Sequence, residues 1–165
     1  MEKRTLFMAI LSVVLIGVLL SLAYYKNQQA KFQQVLLRLT VDQSCDLQKS
    51  NCTLKWAEGE ITLSITPRPI PLVKPIQIAV QLKSRSASEP EIKQVQGVTV
   101  DFKGTTMNMG PNNVKLTESA PNLWTGSGML PVCIRNQMEW QADVYLQTKQ
   151  GIIIAPFIFL TRKHY

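Results

Sequence analysis

The chain has 165 residues, with 18 Lys and Arg against 11 Asp and Glu, a single histidine and a formal net charge of +7. Once Glu2, Lys3 and Arg4 are set aside, 16 basic residues face 10 acidic ones, scattered rather than gathered into a stripe, which speaks against nucleic acid as a partner. The one histidine, His164, stands beside the final residue, so a Ser or Cys nucleophile lacks its usual base and the chain is read as a non-enzyme.

Residues 5–25 read TLFMAILSVVLIGVLLSLAYY, twenty-one positions without a charge. At about 1.5 Å per residue this reaches roughly 30 Å, the hydrocarbon thickness of a bilayer. Lys3 and Arg4 precede the run, and the positive-inside rule then makes residues 1–4 a cytoplasmic tail and 5–25 a transmembrane helix. The expectation is a single-pass membrane protein with its C-terminal domain on the non-cytoplasmic side. A cleaved signal peptide is the rival reading, since Ser21-Leu22-Ala23 offers a small-x-small site, although the run exceeds the roughly 7 to 15 residues of a usual signal core.

Residues 26–52 form the next segment. Phe32, Val35, Leu36 and Leu39 recur at helical spacing within KNQQAKFQQVLLRLT, and Gln, Lys and Ala are adequate helix formers, so the helix is predicted to continue as a stalk. Cys45 and Cys52 bracket CDLQKSNC and are read as a disulfide closing an eight-residue loop, worth about 2.5 kcal/mol of chain entropy. Two free thiols or a metal clip are the alternative. Asn51-Cys52-Thr53 matches a glycosylation acceptor only weakly, because Cys52 has the better use in the bridge.

From residue 53 to 165 the texture changes to short alternating runs separated by Pro, Gly and Asn, as in half-buried strands. Seven strands are predicted, over 61–66, 75–83, 94–102, 114–118, 123–129, 139–148 and 151–160, at the spacing of a β-sandwich. A period of two places Ile76, Ile78, Val80 and Leu82, then Val98, Val100 and Phe102, then Trp140, Ala142, Val144 and Leu146 in the core, and sends Gln77, Gln81, Gln141 and Asp143 outward. TPRPIPLVKP is an extended linker between strands, Lys149-Gln150-Gly151 a hairpin turn, and Pro156 marks an edge position or a bulge in the last strand.

Sulfur is the chemistry that stands out. GTTMNMGPNN and GSGMLPVCIRNQMEW bring Met107, Met109, Met129 and Cys133 into two neighbouring segments, with Gly104, Gly110 and Pro111 marking the first as a loop. Met107 and Met109 are two apart and project to one side of an extended segment. If the loops meet at one end of the domain, thioethers with a thiolate suit Cu(I), because soft ligands select soft metals, whereas the lack of histidine there counts against zinc and Cu(II). The plainer reading is packing: methionine fills gaps in cores, a lone cysteine is often inert, and Met138 beside Trp140 is assigned to the core. Glu58 with Glu60, and Glu89 with Glu91, are read as solvated charges, and neither a Gly-rich phosphate loop nor a paired metal-type CxxC motif is present.

The strand followed by Met107-Asn108-Met109-Gly110, the Trp124-x-Gly126 strand, and Met129-Leu-Pro-Val-Cys133 leading into a Met-x-Trp strand resemble the YtkA-like and FixH-like domains over roughly 61–160. The resemblance implies a small immunoglobulin-like antiparallel β-sandwich, anchored here in a bacterial inner membrane with its C-terminal domain in the periplasm, and associated with copper handling and with assembly of respiratory haem-copper oxidases. It also implies that Met107, Met109 and Met129 face the metal, with Cys133 as an addition. Such copper sites often include histidine, and this chain offers none nearby, so a copy that keeps the fold and binds a protein instead is the alternative.

Two functions follow as expectations. The first is Cu(I) binding through the Met and Cys cluster in copper delivery or oxidase assembly, with an oxidase subunit or copper chaperone as partner. The second is a non-catalytic scaffold that docks a protein without metal, its methionines serving as adaptable apolar contacts. A thiol oxidoreductase comes last, because Cys133 has no resolving cysteine near it in sequence.

Overall fold

The computed structural model describes residues 2–31, 34–85, 95–107, 109–131 and 136–162. Phe32, Glu89, Glu91, Asn108, Cys133 and His164, each singled out above, lie outside these residues. The chain divides into two compact units, Met1–Gln34 and Val35–Tyr165.

The first unit is the helix α1, Glu2–Lys31, a stretch free of proline and rich in Leu and Ala. Its expected passage through a membrane is overturned. Among the described residues no helix is long and apolar enough to cross a membrane. With the span falls the assignment of the chain to a bacterial inner membrane with a periplasmic domain.

The second unit is mostly β. Its strands are β1 (Val35–Arg38), β2 (Cys52–Trp56), β3 (Gly59–Thr66), β4 (Pro75–Ser84), β5 (Val95–Gly104), β6 (Asn113–Ala120), β7 (Leu123–Met129), β8 (Gln137–Thr148) and β9 (Ile152–Arg162). They form one nine-stranded sheet in the order β1-β9-β8-β5-β6-β7-β4-β3-β2. The sheet curls at β6, whose beginning pairs with β5 (Val114 opposite Val100) and whose end pairs with β7 (Glu118 opposite Trp124). A Cβ on Gly126 would lie 2.6 Å from Leu116 Cδ2, and one on Gly128 2.8 Å from Val114 Cγ2, so a side chain at either position would push these β6 side chains aside.

Every residue that the period of two sent inward is buried, from Ile76 on β4 to Leu146 on β8, and these side chains join one core shared by both parts of the curled sheet. Trp140 is fully buried and its indole Nε1 donates to Thr161 Oγ1 at 2.9 Å. Cys45 and Cys52 form the disulfide, with their Cα atoms 5.7 Å apart. Its loop is fastened at both faces: Gln48 Nε2 donates to the Leu160 carbonyl at 2.6 Å, while Gln48 Oε1 accepts from the Ile70 amide at 2.7 Å.

Two expectations need correction here. The helical stalk stops at Lys31, and Val35 to Arg38, expected within it, form β1, which runs parallel to β9. A β-branched and leucine-rich segment met an open strand edge, and pairing with Ile152 to Ile154 outweighed a modest helix preference. Asp143 does point to the outward face, yet it is 1% exposed, because Arg38 and Lys103 close over it. Pro156 sits opposite Asp143 on β9, beyond the last β1 pairing at Ile154, so the missing N–H removes no ladder bond on that side.

Candidate functional site

The register gathers several strand ends at one end of the β unit. Pro75, which begins β4, lies opposite Met129, which ends β7; Gly104, which ends β5, lies opposite Trp140 near the start of β8; and Gln137 lies opposite Arg162 at the end of β9. The loop after β5 is tied down at three places. The Phe102 amide donates to the Asn112 carbonyl at 3.1 Å, the Thr105 amide to the Glu139 carbonyl at 3.1 Å, and Asn112 Nδ2 to the Met129 carbonyl at 3.2 Å. Gly110 takes φ +74°, a left-handed conformation suited to glycine, and turns the loop back.

This loop encloses an open groove of about 370 Å³ lined by Lys103, Gly104, Thr105, Thr106, Met107, Met109 and Gly110. Met107 and Met109 are half-buried, packed against the core on one side and facing the groove on the other. Gly104 makes room for them. A Cβ there would run into the Met138 methyl group, and would stand 2.6 Å from the Met107 carbonyl and 3.5 Å from Met109 Cγ. Met138 is itself 2% exposed, behind the groove floor.

The sequence-selected residues therefore separate. Met107 and Met109 share one groove; Met129 is held near the same loop by its carbonyl, but its side chain is 50% exposed and lies outside the groove lining; Cys133 is outside the described residues. Met138, assigned to packing from its place beside Trp140, is indeed buried and also approaches Met109 across Gly104. Its inward parity on β8 was visible in the sequence. That β8 begins beside the end of β5 was not.

Charge sits on the outer face next to the groove. Lys103 Nζ lies 3.0 Å from Asp101 Oδ2 and 3.2 Å from Asp143 Oδ2, donates to Tyr145 Oη at 3.0 Å and stands 5.6 Å from the Tyr145 ring centre. Arg38 reaches Asp143 at 3.4 Å, and Gln141 Nε2 donates to Asp143 Oδ1 at 2.7 Å. Partial burial lowers the pKa of the Lys103 ammonium, but hydrogen bonds to Tyr145, Asp101 and Asp143 and the charge of Asp143 outweigh it and hold the group above the ordinary lysine range. Asp101 Oδ1 is buried and has no hydrogen-bond partner among the described residues.

Among the described residues no group of three or more His, Cys, Asp or Glu side chains is arranged to hold a metal ion. The uncharged side-chain donors of the groove lining are the thioethers of Met107 and Met109 and the hydroxyls of Thr105 and Thr106. Comparison with family models, with curated proteins and with solved structures finds no match.

Proposed function

We propose that this protein binds Cu(I) as cargo at the Met107 and Met109 groove, in copper delivery or in assembly of a haem-copper oxidase. The observation that carries the reading is the sharing of one open groove by Met107 and Met109, with Met138 close behind Gly104. Thioethers are soft, neutral donors and select Cu(I) over zinc, magnesium or calcium. An open groove permits ligand exchange, and weak neutral donors favour transfer over permanent retention. Met129, exposed and tied to the loop through Asn112, is a sulfur that would complete a site during transfer, and Cys133 is the thiol that the sequence adds.

The finer fold reading, an immunoglobulin-like sandwich of the YtkA-like and FixH-like kind, belongs with this proposal. It is supported by the curled antiparallel sheet from β2 to β9 with one shared core, and by the MNMG loop at the end of β5. The partner would be an oxidase subunit or a copper chaperone.

X-ray absorption of the Cu(I)-loaded full chain tests the donor set. Sulfur scatterers alone around copper are expected; a first shell dominated by nitrogen or oxygen would contradict the assignment.

A scaffold reading, in which the groove receives an apolar side chain of a partner protein, draws on the packing of Met107 and Met109 against the core. Capture of the same partner from copper-depleted and copper-loaded samples would favour it.

A further inference from the structure

The two ends of Lys103 do different things. The residue lines the Met groove, whereas its ammonium is bound by Asp101, Asp143 and Tyr145. The register says which way that ammonium points. Lys103 lies opposite Gln141, Asp101 opposite Asp143, and Thr99 opposite Tyr145, so the groups that hold it sit one and two outward-facing rows back along β5, away from Gly104 where the groove begins. Each such row is about 6.8 Å of strand.

A lysine on the wall of a cation site is a liability unless its charge is turned away. Asp143 has reason to turn it: a carboxylate 1% exposed needs cations, and both Lys103 and Arg38 supply them. We infer that Asp101 and Asp143 are positioning residues for the groove, acting through Lys103: they keep its ammonium on the outer face and leave the thioethers facing a monovalent cation without a competing positive charge. The inference rests on the Cu(I) reading of the groove and adds to it the control of the site's charge. Arg38 belongs to the same ion cluster but does not line the groove, so two cations with equal formal charge differ in where they can go.

That difference makes the test. Cu(I) affinity of the full chain is measured anaerobically against a competing chelator, at low and high salt, for wild type, D101N/D143N, D101N/D143N/K103Q and D101N/D143N/R38Q. The double variant is expected to bind about five- to tenfold more weakly at low salt, with the loss shrinking at high salt as exposed charges are screened. Adding K103Q restores affinity to within about twofold of wild type, while R38Q, which removes the same formal charge, leaves most of the loss in place. Equal rescue by both would mean net charge alone matters, and would overturn the inference, as would wild-type affinity in D101N/D143N. Should the double substitution prevent folding, D101N alone decides: a loss of at least about twofold at low salt that shrinks at high salt is expected, and wild-type affinity at both salts would overturn the inference. Absence of Cu(I) binding by the wild type would remove the groove reading and this inference together, whereas binding by a wild type whose variants do not respond removes only the inference.

Discussion

Gly104 is the residue on which the groove depends. It ends β5 where the Met138 methyl group, the Met107 carbonyl and Met109 Cγ converge, and any side chain there must displace them. Gly104→Ala is therefore expected to destabilise the fold by about 1–3 kcal/mol, read as a lowered denaturation midpoint with an unchanged slope, and to weaken ligand binding in the groove. An alanine variant as stable as wild type would show that the methionines have slack. The sequence marks Gly104 only as a glycine flanking a loop, because its importance lies in neighbours supplied by β8 and by that loop. Asp143 teaches the same lesson. Alternation correctly gave its direction, but direction is local, whereas its burial comes from Arg38 and Lys103 on two other strands.

At the scale of elements, the strands with a clean alternation were legible, and β7 occurs at its predicted bounds of Leu123–Met129. In β4 the alternation coincides with burial residue by residue, and in β5 and β8 every apolar residue it sent inward is buried, while Asp101 and Asp143 are buried out of phase on the other face. β1 was not legible: Val35 to Arg38 is a strand only because β9 offers an open edge, and an edge is a property of topology. The disulfide loop was legible from spacing, but its second role was not. Gln48 links that loop to β9 through Leu160 and to the linker after β3 through Ile70. Reduction of Cys45–Cys52 is expected to lower stability by about 2.5 kcal/mol, from the entropy of an eight-residue loop, and to be visible as a shift in the unfolding curve with and without a dithiol reductant. An unshifted curve would mean that Leu47 and Gln48 hold the loop in place without the bridge.

At the scale of the whole molecule, one curled sheet closes over one core and leaves its loops to do the chemistry, the usual division between a packed scaffold and its functional connections. The sequence placed sulfur in two segments that would form a site if they met at one end; the strand register brings the β5 loop and the end of β7 together there, while Met138, assigned to packing, stands against Gly104 beside the same loop. The expected anchor did not survive: among the described residues no helix is long and apolar enough to cross a membrane. The central claim is that Met107 and Met109 make this groove a Cu(I) site, and leucine removes sulfur while nearly conserving shape. The most direct measurement is an anaerobic Cu(I) titration of the full chain, wild type beside M107L/M109L, against a competing chelator. One equivalent bound by wild type and lost in a folded double variant is the predicted result; equal affinity in the two proteins, or no binding by either, would contradict it.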